Sequence, residues 1–264
     1  MYYFIVNPNS KSGYGKKIWR TVQSELRKKK IPYKACLTKY TGHAKKLCRF
    51  LLETSDESID LIVVGGDGTL NEVLDGITDP GRIRLYYIPT GSGNDFARGM
   101  QLPGSPLKAC QLLLGSAREI SMDIGSVTTQ GTGHRFGVST GIGFDAAICH
   151  EALKSPLKTF LNHLHLGKLT YVFIAVKQFI LCKPADFQVL LDGKTKRLFR
   201  KAYFAAIMKE AESASVQTPA PTTGCWMCAV SVASANFGFF FFCLPVFWEY
   251  TKDAKMYIFS DANP

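Results

Sequence analysis

"LIVVGGDGTLNEVLDGI", residues 61–77, decides how this chain folds. Leu61 to Val64 run as an apolar strand into Gly-Gly-Asp-Gly-Thr. Beyond it Leu70, Val73, Leu74 and Ile77 fall at i, i+3, i+4 and i+7, one apolar face of a helix beginning near Thr69. A strand over 60–64 therefore hands straight over to a helix. The free N–H groups and dipole at such a helix start favour an anion, and glycines let the backbone come close to it. Thr69 either caps the helix or hydrogen-bonds a phosphate oxygen. Asp67 would repel a phosphate unless Mg²⁺ lay between them, since Mg²⁺ is commonly held by one or two carboxylates plus phosphates. Otherwise it is a simple cap in a tight glycine turn.

The flanking sequence repeats the pattern. "YYFIV" (2–6), "YKACLT" (33–38) and "LYYIP" (85–89) read as further strands, with helices over "KKIWRTVQSELRKK" and "HAKKLCRFLLE" between them. Strands alternating with helices imply right-handed crossovers and a mostly parallel sheet, whose ligands sit beyond the carboxyl ends of the strands. Three of those ends carry small-residue loops. "NPNSKSGYG" brings Ser10, Lys11 and Ser12, with Lys16 and Lys17 beyond it. "GGDG" brings Asp67. "TGSGND" brings Ser92, Asn94 and a second carboxylate, Asp95. Brought to one edge, they look like a magnesium–nucleotide site, although none has the Walker A or G-x-G-x-x-G spacing.

From about residue 122 the chain becomes glycine-rich with short apolar alternations, as in an antiparallel β region. A helical stretch over 157–179 interrupts it, and a hairpin turning at Asp192-Gly193 follows. The expected division is an α/β domain over 1–121 and a β-rich domain over 122–264.

The formal net charge of +11 suits an anionic partner: nucleotide phosphate, nucleic acid or an acidic membrane surface. Nucleic acid fits least, because the basic residues lack interleaved aromatic platforms. No signal peptide is read at "MYYFIVNPNS", so the eight cysteines are expected as reduced cytosolic thiols. Cys225 and Cys228 form a lone C-x-x-C, without the second pair that zinc would want. The five histidines show no metal spacing. The apolar run from Phe237 to Trp248 is too short to span a bilayer.

The chain resembles the diacylglycerol kinase catalytic-domain family, which includes bacterial soluble lipid kinases and sphingosine and ceramide kinases. The matching pieces are "NPNSKSG", "GGDGTLNEV", "GSGNDFARG", "MDIG" and "STGIGFDA", in family order across roughly residues 3–208. Gly-Gly-Asp-Gly-Thr alone is shared with NAD kinases and phosphofructokinases. The resemblance implies an N-terminal α/β nucleotide domain of that general type, a C-terminal β-sandwich, and ATP and lipid bound in the cleft between them. It places ATP contacts at Asn7, Pro8, Asn9, Ser10 and Lys11, at Gly66, Asp67, Gly68, Thr69, Leu70, Asn71 and Glu72, and at Ser92. Thr38 is the further contact, with Thr41 as runner-up. Asp67, also carried as the catalytic residue, would organise magnesium with Asp95 and Asp123. Lys11 stands where the family often has glycine. The implied reaction moves the γ-phosphoryl group of ATP to a lipid hydroxyl, most simply that of diacylglycerol, giving phosphatidic acid. The implied setting is cytoplasmic, with peripheral contact at an anionic membrane and a homodimer left open.

The pattern stops after Met208. The family continues with Gly-Gly-Gly, Pro-x-Ala and Asp-Gly-x-Leu-Asp segments, and later a proton-accepting glutamate. Here stand "KEAESASVQTPAPTTGCWMCAVSV" and a phenylalanine run. A reading-frame shift near Lys209 accounts for this. Codons can be chosen for residues 209–229 whose other frame gives those three segments, and Trp226-Met227 compels an aspartate codon where the family has one. Part of that agreement comes from codon choice. The shift would leave the second domain short of sheet partners and the enzyme impaired. A divergent ending that packs as its own strands is the alternative. A soluble-substrate kinase of the NAD kinase type and a non-catalytic nucleotide- or membrane-binding protein are the competing functions.

Overall fold

A computed structural model describes residues 1–115, 124–129, 131–154, 167–191, 195–208, 231–234 and 256–260. Four strands form the first sheet: β1 (Tyr2–Val6), β2 (Tyr33–Leu37), β3 (Ile59–Gly65) and β4 (Ile83–Pro89). Their order is β2-β1-β3-β4 and every pairing is parallel, as the alternation of strands and helices requires. α1 (Ser10–Lys28), α2 (His43–Glu53) and α3 (Asp67–Gly76) are the crossovers; α4 (Asp95–Gly99) and α5 (Pro106–Leu113) follow β4.

The unbroken apolar runs in β1 and β3 follow from burial on both faces. Phe4, Val6, Ile62 and Val64 pack with Trp19, Val22 and Leu26 of α1 and Ala109, Cys110 and Leu113 of α5. Ile5, Leu61 and Val63 point the other way, onto Ala44, Cys48, Leu51 and Leu52 of α2 and Leu70, Val73 and Leu74 of α3. The result is a helix–sheet–helix sandwich. At the amino end of the strands Arg84 grips Asp60 through Nε (2.7 Å) and a second nitrogen (3.1 Å).

A hairpin of β5 (Gly125–Thr129) and β6 (Thr132–Phe136) closes this first unit, which takes in residues 1–138. Its β6 strand meets α3. The hairpin, read from the sequence as the start of the β-rich domain, thus groups with the parallel sheet.

The second unit, described by itself, includes β7 (Ser139–Gly143), α6 (Phe144–Lys154), α7 (Gly167–Leu181), β8 (Ala185–Leu191) and β9 (Thr195–Met208). Its later strands are β10 (Ser231–Ser234) and β11 (Met256–Ser260). The order is β10-β9-β8-β11, β7 also pairs with β9, and all these pairings are antiparallel. Two short pieces of the unusual tail therefore lie in the sheet, against β9 and β8. The rest of 209–264, with Cys225, Cys228 and the phenylalanine run, lies outside the described residues, as do His163 and His165. Phe144 to Lys154 form a helix, whose first residues, through Ile148, apolar alternation had suggested as part of a β region. The turn at Asp192-Gly193 is also outside, but Leu191 and Thr195 pair on either side of it.

Candidate nucleotide and cation site

The ladder of the parallel sheet runs one residue past each strand at its carboxyl edge. Asn7 N–H donates to the Val64 carbonyl (2.8 Å), Thr38 N–H to Val6 (2.8 Å) and Thr90 N–H to Gly65 (2.7 Å). The loops after β1, β3 and β4 consequently leave the sheet side by side.

Side chains then tie loop to loop. Asn7 Nδ2 donates to Thr69 Oγ1 at 2.9 Å, and Asn7 Oδ1 accepts from Asn9 N–H at 3.0 Å. The buried Ser10 hydroxyl donates to the Asn7 carbonyl (3.0 Å) and meets the Thr90 hydroxyl at 2.7 Å. Ser10 has one proton to give, so Thr90 is the donor in that second bond. Glu72 reaches back from α3 and accepts from Gly42 N–H (2.7 Å) and Ala44 N–H (3.1 Å), closing the start of α2. Asn7, Ser10, Thr69 and Glu72, all expected ATP contacts, are thereby the residues that hold the rim together.

The remaining expected contacts divide between rim and core. Pro8 gives its carbonyl to Lys16 N–H (3.1 Å). Asn9, Lys11, Gly68, Asn71 and Ser92 are exposed, Gly66 is half-buried, and Thr41 is exposed. Thr38 is buried directly after β2, and the Leu70 side chain lies in the core. Lys11 (φ 45), Ser12 (φ 54) and Gly13 (φ 90) make three left-handed residues in succession before α1 settles into helix. This conformation suits glycine at Lys11's place. The Lys11 ammonium sits 5.4 Å from the centre of the Tyr14 ring.

Asp67 does not cap its own helix. Its two oxygens accept from the N–H groups of Asp95 (3.1 Å) and Phe96 (3.2 Å), so the carboxylate closes the start of α4 and joins the β3 and β4 loops. The backbones of these loops nearly touch: a Cβ on Gly91 would come within 2.7 Å of Gly66 Cα. That contact answers why glycines stand at both places. In the first turn of α3, which begins at this rim, the N–H groups of Asp67, Gly68 and Thr69 have no partner within the helix.

Both carboxylates converge on Gly93. The place a Cβ would take there lies 3.5 Å from Asp67 Oδ2, 3.5 Å from Asp95 Oδ2 and 3.6 Å from Asp95 Oδ1. Asp95 also pairs with Arg98. Beneath them, the Tyr87 hydroxyl is buried and hydrogen-bonds to no described group. Burial, followed by the fields of Asp67 and Asp95, raises its pKa well above the usual phenol value. Two carboxylates facing one open spot suit a hard divalent cation with a water shell. Among the described residues no cluster of three His, Cys, Asp or Glu gathers, and Asp123, the third expected ligand, lies outside them.

Sequence reasoning missed Thr90 and Tyr87 as parts of this edge. Thr90 stood in a loop already singled out for its two glycines, Gly91 and Gly93. Its partners, Gly65 at the end of β3 and Ser10 after β1, become visible only once the strand order is known.

The family model for the diacylglycerol kinase catalytic domain matches residues 1–127. The Bacillus subtilis (strain 168) protein named "Putative lipid kinase YtlR" is 30% identical over 212 residues, 78% of this chain and 68% of that protein. The chain belongs to the diacylglycerol kinase catalytic-domain family. A diacylglycerol kinase of Staphylococcus carnosus (strain TM300) is 29% identical over 191 residues, and there the match spans only 58% of the relative. The crystal structure of a diacylglycerol kinase from Bacillus anthracis str. Sterne shares the fold, with a TM-score of 0.55 at 21% identity, over 89% of this chain and 73% of that one. The family's domain thus takes in the whole edge just described.

Proposed function

We propose that the chain is the catalytic part of an ATP-dependent lipid kinase that moves the γ-phosphoryl group of ATP to the hydroxyl of diacylglycerol, giving phosphatidic acid. The observation that carries this reading is the meeting of three loops at one sheet edge, with Asp67 and Asp95 facing each other across Gly93. Phosphoryl transfer is mostly positioning and charge neutralisation. Exposed loop backbone and the first-turn N–H groups of α3 would receive phosphate oxygens. Asp67, Asp95 and Asp123 would hold Mg²⁺ and its waters, which supply charge neutralisation when bound. Asn7, Ser10, Thr69, Thr90 and Glu72 position those groups. The peripheral site of action at an anionic membrane belongs to the same proposal; no helix among the described residues is long and apolar enough to cross one.

The family's proton-accepting glutamate has no counterpart in this sequence, so turnover is expected to be low and to rise when the reading frame after Met208 is restored. The test is transfer of labelled phosphoryl from ATP to vesicle-borne diacylglycerol, sphingosine and ceramide, and to NAD in solution, by both versions. Asp95→Asn is the informative variant, because Asp95 pairs on the surface with Arg98 while Asp67 also closes a helix. Transfer to diacylglycerol should fall at least about 100-fold with an unchanged melting curve. Phosphorylation of NAD, or indifference to Asp95→Asn, would overturn the proposal.

A further inference from the structure

α7 is apolar on two opposite sides. Its inner side is fixed within the second unit: Ile174 is buried, and Phe179 stacks on Tyr203 of β9 (5.6 Å between ring centres) and stands edge-on to Phe144 of α6 (6.0 Å). Glu151 of α6 takes Lys177 Nζ at 2.6 Å and the Gln178 amide, so the rotation of the helix about its axis is pinned. The outer side carries Phe173, Val176 and Ile180, at i, i+3 and i+7, exposed to 73%, 56% and 76%, with Leu181 exposed at the end. A helix that faces water normally turns charged and polar residues outward, and large apolar patches mark interaction surfaces.

The exposed charges of the second unit bear on what covers this stripe. Lys177, exposed at the edge of the stripe, is paired with Glu151, and Lys183 is exposed just past the helix. Along β9, Lys196, Arg197 and Lys201 are exposed, as is Leu198. Over 139–208 the charged residues whose side chains are described are six Lys or Arg (at 177, 183, 196, 197, 200 and 201) against the two acids Glu151 and Asp186. An exposed apolar stripe on a unit whose described charges are mostly basic suits a helix lying in a membrane interface, where apolar burial and attraction to anionic headgroups act together. Like charge opposes a second copy at the same face. With its inner side anchored on α6 and β9, α7 can enter the interface only by its outer side.

We infer that the outer side of α7, through Phe173, Val176 and Ile180, docks the second unit on an anionic bilayer. The choice of a bilayer rests on the lipid-kinase reading, whose substrate resides there; the stripe and its charges do not.

The experiment is flotation of the full chain with phosphatidylcholine vesicles, with or without about a third phosphatidylglycerol, in the absence of ATP. It compares the wild-type chain, Phe173→Ser/Ile180→Ser and Phe173→Trp. Wild type should float with the anionic vesicles, and the double serine variant should bind at least about tenfold more weakly. Phe173→Trp should keep binding, shift its emission to the blue and be quenched by brominated lipid. Circular dichroism checks that the double variant stays folded. Phosphoryl transfer to a water-soluble short-chain diacylglycerol should be the same in both. Absence of that transfer in both the wild-type chain and its frame-restored version, with vesicle binding intact, would sink the kinase reading and leave the docking surface standing. Equal flotation of wild type and double variant would overturn the docking surface. So would a change from dimer to monomer in the variant, which marks a second copy, or a fall in its melting temperature, which marks cover by another segment of this chain.

Discussion

Gly91 and Gly93, two residues apart in one loop, have opposite tolerances. A methyl group on Gly91 would be driven into Gly66 Cα at 2.7 Å and the Asn94 side-chain oxygen at 2.9 Å. Because the obstacle is backbone, the two loops must separate, and overpacking of this kind costs about 1–3 kcal/mol. Gly91→Ala should therefore lower the midpoint of denaturant unfolding. At Gly93 the nearest atoms stand at 3.5 Å, ordinary contact, and φ is not in the left-handed region. Gly93→Ala should fold with unchanged stability, and added Mg²⁺ should raise the thermal midpoint of the wild type but not of the variant, because its methyl fills the place both carboxylates face. A Gly93→Ala protein that responds to Mg²⁺ as wild type does would remove Gly93 from the cation site.

At the scale of elements, Asp75 joins three of them. From α3 it accepts Lys45 Nζ of α2 at 2.6 Å, Arg135 N–H of β6 at 3.1 Å, and lies 3.3 Å from His134 Nδ1. The Arg135 guanidinium reaches on to the Ile77 carbonyl. Burial by itself would raise the Asp75 carboxyl. The hydrogen bonds from Lys45, Arg135 and His134, with the Lys45 charge, outweigh it and hold the group below its ordinary value of 3.8. A carboxyl depressed in the folded state adds stability that is complete above the unfolded value and is lost as pH falls through the folded one. The stability difference between wild type and Asp75→Asn should be constant from pH 7 to about 5 and shrink below about pH 4. A gap that widens toward acid would reverse the sign and refute the network's role. β1 and β3 were legible because both their faces are buried, which writes unbroken apolar runs into the sequence. The Asp75 network was not: no local pattern announces that an aspartate late in a helix meets a hairpin sixty residues on. Phe144 to Ile148 were misread because Gly141 and Gly143 before them, in β7, extend the β-like pattern, while helix α6 draws its register from packing on α7.

For the molecule as a whole, the charge of +11 is a long-range property no single residue owns. Attraction of such a protein to an anionic surface is screened within about 10 Å at 0.1 M salt. Transfer to diacylglycerol in phosphatidylglycerol vesicles should fall steeply between low and 0.5 M salt, while transfer to a soluble short-chain diacylglycerol stays flat. Parallel salt curves would show that the charge serves the nucleotide and not the membrane. The converging loops could be foreseen at this scale, since a parallel sheet puts its strand ends on one edge. The carboxylate of Asp67 was less legible, because its partners on α4 depend on how closely two glycines approach.

The order β10-β9-β8-β11 sets a timetable for synthesis. The first unit's sheet is complete once Pro89 has been made, whereas β8 waits for Met256 before its open side is paired. At ribosomal speeds of about 5–20 residues per second, the open side of β8 stays unpaired for several seconds. A growing chain in that interval is a natural client for a chaperone that shields unpaired strands.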